Sequence, residues 1–221
     1  MAEQRTGEYE LAGDLYILPT PAGAYFAVSS PDDTRVRRLL LALLRYRSSP
    51  HVDTGFLCRC LDTDDEQEAL EVLHRAQSLA WIEGYTEPRD VPALGVGQEL
   101  HQLLPRLSSV GKGLIIDWNG LSLARCGIDE SMADTLGALG ADLIGVQERH
   151  SERMAKHLGQ ATHGWAAVDA YGSSRIGAWP LYIGDKRMLL VLLGEPRLND
   201  PSFLALIWLL IENYGQVRAA G

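Results

Sequence analysis

The sequence predicts an α+β protein in two parts, and three observations predict it. Apolar residues recur both at helical spacing and in strand-like runs. A stretch at 86–95 carries two prolines, two acids and no periodicity, which is linker chemistry. A length of 221 residues favours two modest domains or one large one, and the linker divides it into 1–93 and 94–221.

In the first part, 14–18 and 24–28 read as short strands joined across Pro19-Thr20-Pro21-Ala22-Gly23, whose prolines and glycine suit a turn. Ser30-Pro31-Asp32-Asp33 supplies capping residues before a helix at 34–46, where Val36, Leu39, Leu40, Leu43 and Leu44 share one face. Further helices are expected at 54–61 and 65–79, the latter behind acidic Asp64, Asp65 and Glu66, and a returning strand at 81–85. In element order, a hairpin, three helices and a closing strand resemble a winged-helix-like module. No residue motif supports that resemblance.

The second part opens with a short helix at 98–109, which Pro105 bends or breaks. Two strand-like runs, 113–118 and 121–126, flank Asn119-Gly120, the strongest short-range hairpin marker because both residues tolerate positive φ. Asp129 is the expected N-cap of a long helix reaching His157, in which 148–157 reads equally as helix or loop. Strands follow at 164–171, 175–183 and 188–193. Asn199-Asp200-Pro201 then caps a final helix that ends at Gly215. The order is α-β-β-α-β-β-β-α.

That order, with Ile115-Ile116-Asp117-Trp118-Asn119-Gly120-Leu121, the run Met188-Leu189-Leu190-Val191-Leu192-Leu193 and an apolar last helix, resembles the roadblock/dynein light chain family over residues 97–217. The resemblance implies a profilin-like, five-stranded antiparallel sheet with helices on both faces, pairing with itself through an edge strand and the central helix. It also implies a non-enzymatic platform, in bacteria among other settings, with small Ras-like GTPases as the partner class. The residues add a hint of their own. Ala133, Gly137, Ala141 and Gly145 recur every fourth position in the central helix, and each helical glycine costs about 1 kcal/mol relative to alanine. A closely approaching partner helix compensates that cost at a homodimer interface. The alternatives are that the stripe lies on the domain's own sheet, or that the glycines break the helix.

The net charge of −9 opposes the phosphate attraction on which most nucleic-acid binders depend, and an anionic membrane surface repels it as well. Residues 1–95 hold 9 basic and 16 acidic side chains, so the acidity sits mainly there. Arg35, Arg37, Arg38, Arg45 and Arg47 form the main basic concentration. They are either paired with neighbouring carboxylates or offered to phosphates in a DNA-binding dimer, the alternative function. The acidic run Asp62, Asp64, Asp65, Glu66, Glu68 and Glu71 reads as a solvated helix start.

Enzyme signatures fail on spacing. Gly111-Lys112-Gly113 lacks the flanking glycine and hydroxyl of a phosphate loop. Gly172-Ser173-Ser174 lacks the frame of a nucleophile elbow. Neither the six histidines nor Cys58 and Cys60 have zinc-ligand spacing. No cofactor or metal is expected. An odd, sparse cysteine count and a polar start point to the cytoplasm. The expected function is a dimeric adaptor that binds a protein partner, with Arg149, Arg153 and Lys156 as its contact patch.

Overall fold

The computed structural model describes residues 2–5, 8–11, 13–90, 96–118, 121–158 and 163–215. The expected Asn119-Gly120 turn and the linker residues 91–95 lie outside them. Strands β1 (Ala2–Arg5) and β2 (Glu8–Leu11) form an antiparallel ribbon. Strand β3 (Tyr16–Pro19) is followed by four helices: α1 (Pro21–Val28), α2 (Arg35–Leu43), α3 (Thr54–Leu61) and α4 (Glu66–Ser78). Strand β4 (Ile82–Tyr85) then pairs antiparallel with β3, Tyr16 opposite Tyr85.

The strand expected at 24–28 is helix α1, which corrects the sequence reading. Pro21, at the first helical position, has its φ already set and needs no amide partner. The Thr20 hydroxyl accepts from the Gly23 amide at 3.1 Å and donates to the Ala80 carbonyl at 2.8 Å. A Cβ on Gly23 would sit 2.0 Å from the Trp81 carbonyl oxygen, so only glycine allows α1 to approach this closely. The true partner of β3 is thus a strand more than sixty residues away, which local pattern does not reveal. The other caps are local: Thr34, Asp53 and Asp65 each accept backbone amides at the starts of α2, α3 and α4, so the cap of α2 is Thr34 and not the run Ser30-Pro31-Asp32-Asp33 that the sequence offered.

Helix α5 (Val96–Leu103) gives way to a 3-10 turn at Leu104–Leu107, where Pro105 removes a helical donor. Strands β5 (Gly113–Asp117) and β6 (Ser122–Cys126), helix α6 (Glu130–Leu158), strands β7 (Trp165–Val168), β8 (Ser174–Ile183) and β9 (Lys186–Leu193), and helix α7 (Pro201–Tyr214) complete the chain. The five strands form one antiparallel sheet in the order β6-β5-β9-β8-β7. Residues 148–158 are helical, so α6 continues through the segment that the sequence left open.

Helices cover both faces of this sheet, which is why its central strands are apolar on both sides. In β9, Met188, Leu190 and Leu192 join the larger core with α7, while Leu189 and Val191 join the smaller core beneath α6. The larger core is continuous from Ile17, Leu40 and Leu73 to Phe203, Ile207 and Leu210. Helix α1 seals it against α7 through the Tyr25–Phe203 ring contact, and the Trp208 indole N–H donates to the Tyr46 carbonyl at 2.7 Å.

Candidate interaction surface

Asp129 starts α6 as expected, accepting from the Met132 amide at 2.8 Å. The inward face of the helix carries Ala133, Leu136, Gly137, Gly140 and Ile144, all buried against the sheet. A Cβ on Gly140 would come within 2.7 Å of Leu189 Cδ2, and one on Gly137 within 2.9 Å of Ile116 Cδ1. The small-residue stripe therefore splits. Ala133 and Gly137 are consumed by the chain's own sheet, whereas Ala141 and Gly145 are half-buried.

A different row on α6 is free. Met132, Leu139 and Val146 are 49%, 44% and 45% exposed. A spacing of seven places them on one side of the helix, each about 10 Å from the next. Arg149, Arg153 and Lys156 are exposed and make no ion pair among the described residues. At one edge of the sheet, β7 presents Val168, 61% exposed.

No protein-family model matches the chain, and no curated protein matches it. Solved structures similar to roughly its C-terminal half include a Roadblock/LC7 domain from Streptomyces avermitilis. That likeness has 17% identity and a TM-score of 0.37, and covers 54% of this chain and 94% of that one. The gliding protein mglB from Thermus thermophilus is similar at 19% identity and a TM-score of 0.35, over 56% of this chain and 93% of that one. Myxococcus xanthus MglB is similar at 13% and 0.31, over 53% and 89%. These likenesses concern fold alone. Architecture rests on the observed sheet order, which is the five-stranded antiparallel arrangement that the resemblance implies.

The arginine concentration is mostly spent inside the chain. Arg35 pairs with Glu68, Arg38 with Asp33 and Arg47 with Glu212. Arg37 is buried, donating to the carbonyls of Phe26 and Asp32 and lying over the Phe26 ring. Of the five, Arg45 alone has neither an ion pair nor a buried guanidinium among the described residues.

A cavity of about 360 Å³ lies between residues 29–32 and the second half of α6, lined by Ser30, Asp32, Glu148, His163 and Tyr182 among others. Its hydroxyl chemistry is local: Ser30 donates to the Asp32 carboxylate at 2.7 Å. Burial and the nearby Arg37 charge hold His163 below the ordinary imidazole range. The described residues contain no group of three metal-ligating side chains and no helix long and apolar enough to cross a membrane. Cys58 and Cys60 are half-buried, and burial pushes both thiols up, which suppresses the reactive thiolate.

One surface cluster escaped the sequence reading. Trp118, 38% exposed, carries the Arg187 guanidinium 3.3 Å from its ring centroid. Arg187 pairs with Glu148 of α6, and Glu148 also accepts from the Tyr182 hydroxyl at 3.0 Å. The signal available beforehand was a tryptophan beside a turn. Its cationic partner lies some seventy residues away.

Proposed function

We propose that the chain is a non-enzymatic adaptor that pairs with itself through α6 and presents the paired surface to a protein partner. The observation that carries this reading is the Met132–Leu139–Val146 row, which flanks the sheet-facing side of a 29-residue helix and is left exposed. Three large apolar side chains in line are costly to leave in water, at about 25 cal/mol per Å² of apolar surface. A second helix laid along them removes that cost, and the heptad spacing suits such packing. Arg149, Arg153 and Lys156 then offer charge to the partner. A small Ras-like GTPase is the partner class in keeping with the roadblock resemblance, and it would be bound by surface complementarity, without a catalytic group from this chain.

Light scattering of the full chain across a concentration range tests the pairing. A dimer that dissociates in Leu139→Asp, with an unchanged circular dichroism spectrum, supports it. A wild-type chain that stays monomeric at every concentration, or a dimer indifferent to Leu139→Asp, removes α6 as the pairing surface.

A further inference from the structure

Away from α6, a cavity of about 420 Å³ opens between α2 and α4, within the size range of small-molecule sites. Its floor is apolar: Val36, Val72, Phe26 and Trp81. Trp81 stacks on Phe26 with ring centroids 3.9 Å apart and an interplanar angle of 19°, while Arg37 lies over the Phe26 ring. Because Trp81 is supported in this way, its indole is a fixed plane, and a planar ligand stacking on it has little side-chain entropy to freeze.

The rim carries hydrogen-bonding groups of both kinds. Arg35 and Glu68 are paired with each other at the mouth. Glu71 and Arg75, one turn apart on α4, also line the cavity and make no ion pair among the described residues. A carboxylate that accepts and a guanidinium that donates, one turn apart and lining the same cavity as an aromatic plane, match a flat ring whose edge offers N–H donors next to a carbonyl acceptor. Guanine has that edge: its ring N–H and amino group suit Glu71, and its carbonyl and ring nitrogen suit Arg75. The two arginines of the rim are matched by two glutamates on a chain of net charge −9, so the lining has no excess positive charge to hold a phosphate.

We propose that this cavity binds a guanine-type base, stacked on Trp81 and read at its edge by Glu71 and Arg75. Guanosine titrated into the full chain, followed by calorimetry and indole fluorescence, is the test. Saturable one-site binding is expected, weakened about tenfold by Trp81→Leu, the usual worth of one base–aromatic stack. Glu71→Gln, at an exposed side chain that the fold does not use, is expected to weaken it about fivefold, as loss of one charge-assisted pair does. Adenosine is expected to bind several-fold more weakly. Absence of saturable guanosine binding overturns the proposal. So does binding that Glu71→Gln leaves unchanged, a measurement that stands even if Trp81→Leu misfolds, and so does adenosine binding as tightly as guanosine.

Discussion

Helices α6 and α7 lie on opposite faces of one sheet and solve different problems. Helix α7 is 14 residues long, and Phe203, Leu206, Ile207, Trp208, Leu209, Leu210 and Ile211 are all buried. It sits between the sheet and helix α1, so nearly its whole circumference is apolar. Helix α6 is twice as long, and its fully buried residues fall on one line, with charged and apolar side chains alternating on the remaining surface. One helix is interior to the fold, and the other is a wall with an unused outer side. The partner binding proposed above would use the outer side of α6, while α7 is packed within the core.

The largest effect is expected at α7. Phe203→Ala removes a ring with no solvent exposure and should cost about 3–5 kcal/mol in urea unfolding. If the loss is below about 1 kcal/mol, α7 is not a pillar of the fold. Next comes its cover. Gly23→Ala pushes a methyl into the Trp81 carbonyl and should cost about 3 kcal/mol, measured in the same way.

At α6 the inward and outward sides should separate sharply. Gly140→Ala crowds Leu189 and should cost about 1–2 kcal/mol, because a leucine end can shift where a backbone carbonyl cannot. Leu139→Asp, on the outer row, should change the unfolding free energy measured at low protein concentration by only about 0.5 kcal/mol. A loss as large as that at Phe203 would mean the outer row is part of the core after all.

The smallest effect is electrostatic. Hydrogen bonds from Ser202 hold the Asp200 carboxyl, the α7 cap, below its ordinary value of 3.8. A depressed folded pKa means that the stabilisation is present above pH 3.8 and is lost as pH falls through the lower folded value. Unfolding free energy of wild type should therefore fall more steeply below about pH 4 than that of Asp200→Asn, which caps without titrating. Parallel acid limbs would remove Asp200 from the account.

Much of the fold was legible because it is local. Asp129 and Asp200 are short polar side chains ahead of apolar periodic runs, and each bonds an amide two or three residues on, whereas the cap of α2 is Thr34, just past the run 30–33 expected to supply it. The element order of the second part could be read in the same way. Helix α1 could not, because Ala24-Tyr25-Phe26-Ala27-Val28 is apolar without a period and reads as strand or buried helix alike. At the surface, exposed cations such as Arg149 were readable, whereas the Arg187–Trp118 stack and the Trp81 plane depend on residues distant in sequence.

By itself the sequence determined the caps at Asp129 and Asp200, most of the helical and strand periods, and the spacing of small residues along α6, all properties of neighbours within about one turn. Tertiary structure alone decided which face of α6 meets the sheet. The period-four stripe turns its first half inward onto Ile116, and a period-seven row is left outside. A helix of about 3.6 residues per turn offers several near-equivalent stripes. The choice among them is made by what each covers, here the apolar upper face of β5, β8 and β9.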